Sequence, residues 1–329
     1  MKNEEILKKL REARDYVSGQ ELCEYYGVSR TAVWKAIKQL EKDGYVIEAQ
    51  NNKGYRLVEL DGDIFSKIEI ESCLDTAWIG KNIIFHKETG STNIDAKLLA
   101  EQGEEEGTVV VADMQTEGRG RRGRGWVSPA GKDIYMTILL RPQCGPEKAS
   151  ALTLVMAIAV LEALEEVISQ PCGIKWPNDI VINNKKVCGI LTEMSAEIDG
   201  IHYVVIGSGI NVNQSQLAED IRDKATSLYI ESGEKINRSK LTARVLYYFE
   251  KNYAVFKESW DLTGLVEKYN RFLVNRGREV RVLDPKGEYD GIAWGINEKG
   301  ELLVERKSDG QTVLVYAGEV SVRGIYGYV

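Results

Sequence analysis

The chain has 329 residues, 43% of them hydrophobic and 28% charged, an ordinary globular composition with length enough for two or three domains. A net charge of −7 excludes a protein that binds nucleic acid over its whole surface and leaves only a local basic face open. No apolar run reaches the ~20 residues that span a bilayer, and the opening MKNEEILKKLREARDYV lacks the apolar core of a signal peptide. The scattered Cys23, Cys73, Cys144, Cys172 and Cys188, with no C-x-x-C pair and only His86 and His202 for company, read as reduced thiols of a cytoplasmic protein rather than disulfides or a zinc cluster.

Residues 1–62 form the first predicted domain. Ser18 and Glu21 make a capping box for a helix that Gly27 can end. Ser29 caps a second helix running to about Asp43 and closed by Gly44, with Val33, Ala36, Ile37 and Leu40 as its buried stripe. Thr31, Lys35, Lys38 and Lys42 fall on the opposite face, flanked by Arg30 and Trp34. YVIEA and GYRLV, joined by Asn51, Asn52, Lys53 and Gly54, complete a wing. A run of charge is usually just a solvated face. Here, however, helix, glycine turn, helix and wing together give the winged helix-turn-helix pattern, whose second helix enters the major groove. Ser29, Arg30, Thr31, Lys35, Lys38, Lys42 and Lys53 are the candidate DNA contacts.

After a connector over 61–80, the second domain (63–274) mixes strands such as TVVVADM, DIYMTILL and YVVIGSGI with a helix around Glu147–Val167 that is apolar nearly all round and therefore central. Short links such as Asn183–Asn184 imply hairpins, so the fold class is α+β with an antiparallel-rich sheet. From 275 to 329, short alternating strands separated by turn signals predict a small β-barrel.

GRGRRGRGW, Gly118–Trp126, is the most concentrated candidate site. Gly118, Gly120 and Gly123 satisfy G-x-G-x-x-G, but Gly125, Pro129 and Gly131 forbid the helix a dinucleotide fingerprint requires. The spacing from Gly125 to Gly131 is one residue too long for a P-loop, and Lys132 is followed by Asp133. A disordered RGG tract would be longer and would not sit between strong strands. What remains is a loop of a folded domain, mobile until an anion arrives, whose glycines let backbone approach a ligand, whose Arg119, Arg121, Arg122 and Arg124 neutralise an anion, and whose Trp126 can stack on a base. KWPND (Lys175–Asp179) fits a phosphate, an adenine edge or Mg²⁺ as well as it fits a plain turn with a buried tryptophan. In GSTN (Gly90–Asn93), Thr92 and Asp95 are placed as a helix cap. GSGINVN (Gly207–Asn213) is a strand end able either to approach a ligand or to pack tightly.

GSTN, GRGRRGRGW, KWPND, KKVCGIL and GSGINVN stand in the order and approximate spacing of the biotin protein ligases. With its amino-terminal winged helix the whole chain resembles the bifunctional members that are both ligase and biotin-operon repressor, and the third domain becomes SH3-like. The resemblance implies ATP with Mg²⁺, biotin as substrate, biotinoyl-5′-AMP as intermediate and a carboxyl carrier protein lysine as acceptor. It further implies operator DNA and a homodimer formed on binding the adenylate. By motif, Ser91, Thr92 and Gln115 face biotin's ureido ring, with Asn93, Gly118 and Gly189 also in the biotin site. Arg119, Arg121 and Lys186 face the carboxylate and α-phosphate, and Trp126 the adenine. Arg124, Lys175, Asn178, Asn211 and Arg323 belong to the ATP site. Asp179 is a metal contact or the group that takes the lysine's proton. A lipoate-type ligase and a non-enzymatic ligand-sensing repressor are the competing readings.

Overall fold

The computed structural model describes residues 3–13, 15–42, 44–58, 63–197, 200–285, 287–317 and 321–324. The chain divides into two compact units, Met1–Leu74 with Asn237–Ala243, and Asp75–Ile236 with Arg244–Val329.

In the first unit, α1 (Asn3–Glu12), α2 (Gly19–Tyr26) and α3 (Arg30–Lys42) precede β1 (Val46–Gln50) and β2 (Gly54–Val58), an antiparallel hairpin, and then α4 (Lys67–Cys73). Ser18 Oγ accepts the Glu21 N–H at 3.0 Å, Gly27 turns the chain at φ 64°, and Ser29 Oγ accepts the Ala32 N–H at 3.2 Å. These caps satisfy amide groups that a helix start otherwise leaves unpaired. Asp43, where the second helix was expected to stop, and the 62/63 domain boundary at residues 59–62 lie outside the described residues. Val33, Ala36, Ile37 and Leu40 are buried with Ile6, Leu7 and Leu22, and at about 1.5–3 kcal/mol per large aliphatic side chain this stripe outweighs helix propensity in holding α3. The expected connector contains α4, whose Glu69 is buried against the Arg11 guanidinium at 2.6 Å and accepts the Tyr45 hydroxyl.

The second unit begins with β3 (Ile83–His86), α5 (Thr92–Glu101), β4 (Val109–Ala112), β5 (Ile134–Leu140) and α6 (Ala151–Glu165). Four strands follow, β6 (Cys172–Lys175), β7 (Asp179–Ile182), β8 (Lys185–Glu197) and β9 (Gly200–Ile210), and then α7 (Leu228–Ser232), α8 (Arg238–Ser259) and α9 (Val266–Phe272). The first six residues of α8 cluster with the first unit. The sheet order is β3-β4-β5-β9-β8-β7-β6, with β3–β4 the one parallel pair among these neighbours. Only Thr153, Glu162 and Glu165 of α6 escape burial, which makes it central as its composition required. Thr153 of α6 bonds Thr192, whereas Asn93 and Lys97 of α5 bond Glu193. Adjacent residues of a strand point to opposite faces, so the two helices cover opposite faces of the sheet.

The carboxy-terminal part holds β10 (Arg278–Leu283), β11 (Tyr289–Ile296), β12 (Leu302–Arg306), β13 (Thr312–Val315) and β14 (Ser321–Gly324). They pair antiparallel in the order β13-β12-β11-β10-β14. All five cysteines are free, and no helix among the described residues is long and apolar enough to cross a membrane.

Candidate active site

Strand register sets the floor of the site. Tyr135, Gly209, Gly189 and Asp179 stand opposite one another across β5, β9, β8 and β7, and Thr137, Gly207 and Leu191 form the next row on the same face. The two glycines in the first row leave space that Trp126 takes. A Cβ on Gly209 would lie 2.6 Å from Trp126 Nε1, and one on Gly189 would lie 2.9 Å from its Cζ3 and 2.8 Å from Lys186 Nζ. Real Cβ atoms do not approach so closely, so any side chain at either position displaces the indole. Its buried N–H has no hydrogen-bond partner among the described residues.

The glycine–arginine stretch is a ribbon between β4 and β5. Gln115 pairs with Thr89 and Ser128 at its neck, Trp126 N–H donates to Gly118 O at 2.8 Å, and Gly120 N–H donates to Arg124 O at 2.7 Å. Gly118 is required here, because a Cβ would meet Trp126 O at 2.3 Å. At the tip, Arg122 and Gly123 turn the chain at φ 58° and 69°. The half-buried Arg121 donates to Asn178 Oδ1 at 3.1 Å and to Ala317 O, so the tip is tied both to KWPND and to the carboxy-terminal part. Arg119 stays exposed on the pocket rim.

The polar end of the pocket is a connected network. Gln115 Oε1 accepts the Thr92 N–H at 2.9 Å and the Thr92 hydroxyl at 3.2 Å, while Gln115 Nε2 donates to Ser128 Oγ at 3.0 Å. The buried Thr137 hydroxyl donates to Asn93 Oδ1 at 2.7 Å and lies 2.8 Å from Thr92 Oγ1. Thr92 is therefore not the helix cap its spacing suggested. Ser91 is the N-cap residue and makes no side-chain cap bond, while Thr92 is the first helical residue and turns its hydroxyl to Gln115. Asp95, the other half of that expected cap, accepts from Thr89 Oγ1.

Cations dominate the other end. Lys186 Nζ is 2.6 Å from Asp179 Oδ1 and 5.0 Å from the centre of the Trp126 ring. Lys175, 6% exposed, lies near Asp179, Lys186, Arg323 and Arg124; burial, reinforced by the three cations and opposed by Asp179, pulls its ammonium down to about 8. Burial also lowers Arg121, with Asp179 opposing and Arg122 adding to the shift. Several part-desolvated cations thus share one carboxylate, an arrangement that an incoming anion stabilises. Below them Trp176 is fully buried, its indole N–H on Gly300 O at 3.0 Å. KWPND is thus both a buried-tryptophan turn and part of the site.

Together these elements line one pocket, open on one side. Its wall takes in Ser91, Thr92, Asn93, Gln115, Arg119, Arg121, Trp126, Asn178, Lys186 and Gly189, all expected from sequence. Lys175, Asp179, Arg124 and Arg323 are brought to its cationic end through Lys186. Gly118 shapes the ribbon. Asn211 lies apart, buried with its Nδ2 donating to Thr226 O. Asn93 lines the pocket with both amide atoms committed, to Thr137, Glu193 and the Leu191 carbonyl. Sequence reasoning missed Tyr135, Thr137, Ile190 and Leu191. Only Thr137 carried a signal, a hydroxyl inside the apolar run IYMTILL. On the first unit, Ser29, Arg30, Thr31, Lys35, Lys38, Lys42 and Lys53 are all exposed, Lys38 paired with Glu41 at 2.6 Å.

A mixed sheet carrying an arginine ribbon over a cation-lined pocket, in a chain that also carries a helix-turn-helix unit, defines a class: ligases that activate a carboxylate and also bind DNA. Residues 85–211 match the biotin/lipoate A/B protein ligase family, 2–56 an HTH domain and 277–323 the biotin protein ligase C-terminal domain. The bifunctional ligase/repressor BirA of Bacillus subtilis is 42% identical over 88% of this chain and 90% of its own length. That of Escherichia coli is 31% identical over 94% of each. A biotin protein ligase from Aquifex aeolicus, solved with biotin and ATP, superposes with a TM-score of 0.65 at 36% identity, covering 74% of this chain and 99% of that one. The chain belongs to the BirA family of bifunctional ligase/repressors.

Proposed function

We propose that this chain joins biotin to ATP, giving biotinoyl-5′-AMP and pyrophosphate, and passes biotin to a lysine of a carboxyl carrier protein. The observation that carries the reading is the cation group of Arg121, Lys175 and Lys186 around a single carboxylate, at one end of a pocket whose other end is neutral and hydrogen-bonding.

Biotin's carboxylate is already an anion, so its oxygen attacks the α-phosphorus without a general base, and the bond to the pyrophosphate leaving group breaks. What the site must do is hold two anions together and stabilise the charge of the transition state. Ser91, Thr92 and Gln115 hold the ureido ring, with Asn93 and Thr137 fixing Thr92 and the pocket wall. Arg119, Arg121 and Lys186 take the carboxylate and α-phosphate. Trp126 lies against the adenine, and Asn178, Lys175, Arg124 and Arg323 hold the nucleotide. Asn211 supports the site through the Thr226 loop.

No group of three His, Cys, Asp or Glu side chains forms a metal cage among the described residues. Mg²⁺ arriving with the phosphates would supply charge neutralisation, and Asp179 is the carboxylate at this end of the pocket that would hold it. In the second half-reaction the lysine amine attacks the acyl carbonyl, AMP leaves, and the amine loses a proton. Asp179 takes that proton once Lys186 has moved from it to the substrate. Transfer from preformed adenylate should fall at least tenfold in Asp179→Asn, and unchanged transfer removes Asp179 from that role.

In the same reading the adenylate is the corepressor: it promotes a homodimer in the cytoplasm, and paired winged helices bind a two-fold operator. The decisive assay supplies ATP, a biotin carrier domain and either biotin or lipoate. Biotin-dependent pyrophosphate release with labelling of the carrier is expected; labelling by lipoate alone, or no pyrophosphate, replaces the reading with one of its competitors.

A further inference from the structure

Trp34 flanks the lysine face of α3 and is not among the candidate DNA contacts, yet it is 52% exposed. Among the described residues it makes no hydrogen bond and no ring contact. Its neighbours on the helix surface, one turn before and after, are Arg30, Thr31 and Lys38, all exposed. Among the described residues, the unit's other exposed large apolar side chains, Tyr25 and Val46, lie on α2 and β1. A single indole between two cations is too small an apolar area for a protein hot spot, which needs a surrounding ring of contacts to exclude water. It does match one surface: a polyanion whose groove floor carries isolated methyl groups. In the major groove of duplex DNA the thymine 5-methyl is that feature, and the indole N–H can donate to a neighbouring base acceptor.

We infer that Trp34, with the Thr31 methyl beside it, reads thymine methyl groups in the major groove while Arg30 and Lys38 hold the flanking phosphates. The inference rests on the DNA-binding reading of this unit and adds a base-reading residue to it.

The test uses the full-length protein with biotin and ATP present. Duplexes are selected from a randomised pool of roughly 40 base pairs, room for two half-sites several turns apart. The selected duplex is then remade with deoxyuridine at each thymidine in turn, which removes the methyl and leaves pairing intact. At one or two positions per half-site the wild-type protein should bind about fourfold more weakly for each methyl lost. Trp34→Ala should bind the thymidine and deoxyuridine duplexes equally well, with unchanged thermal unfolding because the side chain is exposed. Indifference of the wild type to every replacement, or full methyl sensitivity persisting in Trp34→Ala, overturns the inference and leaves the DNA reading standing. Failure to enrich any duplex overturns both.

Discussion

Arg121 does two tasks with one side chain. Its guanidinium ties the ribbon tip to Asn178 and Ala317 and brings charge to the pocket. Glycine at this position removes both the charge and the tie, so activated biotin should escape the site. Arg121→Gly is expected to label nearby lysines indiscriminately, read as biotin on a non-carrier protein such as albumin; labelling confined to the carrier would show that Arg121 does not shield the intermediate. Lys175 shows the cost of keeping a cation dry. Its ammonium sits at about 8, down from 10.5. Between those values the unfolded chain binds a proton that the folded chain does not, so stability rises with pH across that window and the destabilisation is fully present below it. Lys175→Met should therefore raise the unfolding free energy on the order of 2–3 kcal/mol at pH 7, and by much less near pH 10.5, while adenylation falls about a hundredfold. Urea melts at the two pH values, set beside the adenylation rate, check it. Equal stabilisation at both pH values would mean that packing, not charge, is responsible.

Among the elements, the ribbon and the glycine-bearing strands depend on each other. The ribbon's Trp126 rests on Gly189 of β8 and Gly209 of β9, and neither position admits a Cβ without moving the indole. Gly209 lies in the middle of a sheet, where glycine is otherwise unfavourable, and the close approach of the indole is the reason it is there. Gly209→Ala should push Trp126 off the floor and raise KM for ATP about tenfold, leaving the far-ultraviolet circular dichroism unchanged. An unaltered KM would show that the indole's seat on the sheet is not the one it uses with nucleotide bound.

At the scale of the whole molecule the two activities should fail asymmetrically. If the adenylate is the corepressor, Lys186→Met, which weakens its formation by about a hundredfold or more, must also remove DNA binding in the presence of biotin and ATP. Lys35→Ala with Lys38→Ala lies in the other unit. It should leave carrier biotinylation within about twofold and lower the salt dependence of DNA binding by roughly two counterions. Measuring both activities in both variants decides the matter. Loss of ligation in the lysine pair would mean that the division of labour is wrong.

The sequence by itself determined the local features, because they depend on neighbours in the chain. The caps at Ser18 and Ser29, the stripe from Val33 to Leu40, the hairpin at Asn183–Asn184 and the burial of the α6 segment all follow from spacing and backbone preference. The motifs of the site were also legible, since glycines beside arginines and a Lys-Trp-Pro-Asn-Asp run are rare enough to mark it. What only the tertiary structure decided is which of those residues meet. The 3.6-residue helix repeat and turn chemistry proposed Thr92 as a cap; Gln115 and Thr137, 23 and 45 residues away, took its hydroxyl instead. Asn211 stood in a site motif and turned to Thr226. Tyr135 and Leu191 look in sequence like ordinary strand residues, and become pocket wall only through the register that sets β5, β9 and β8 side by side. Spacing fixes which face a residue presents, whereas strand pairing across long loops fixes what that face meets.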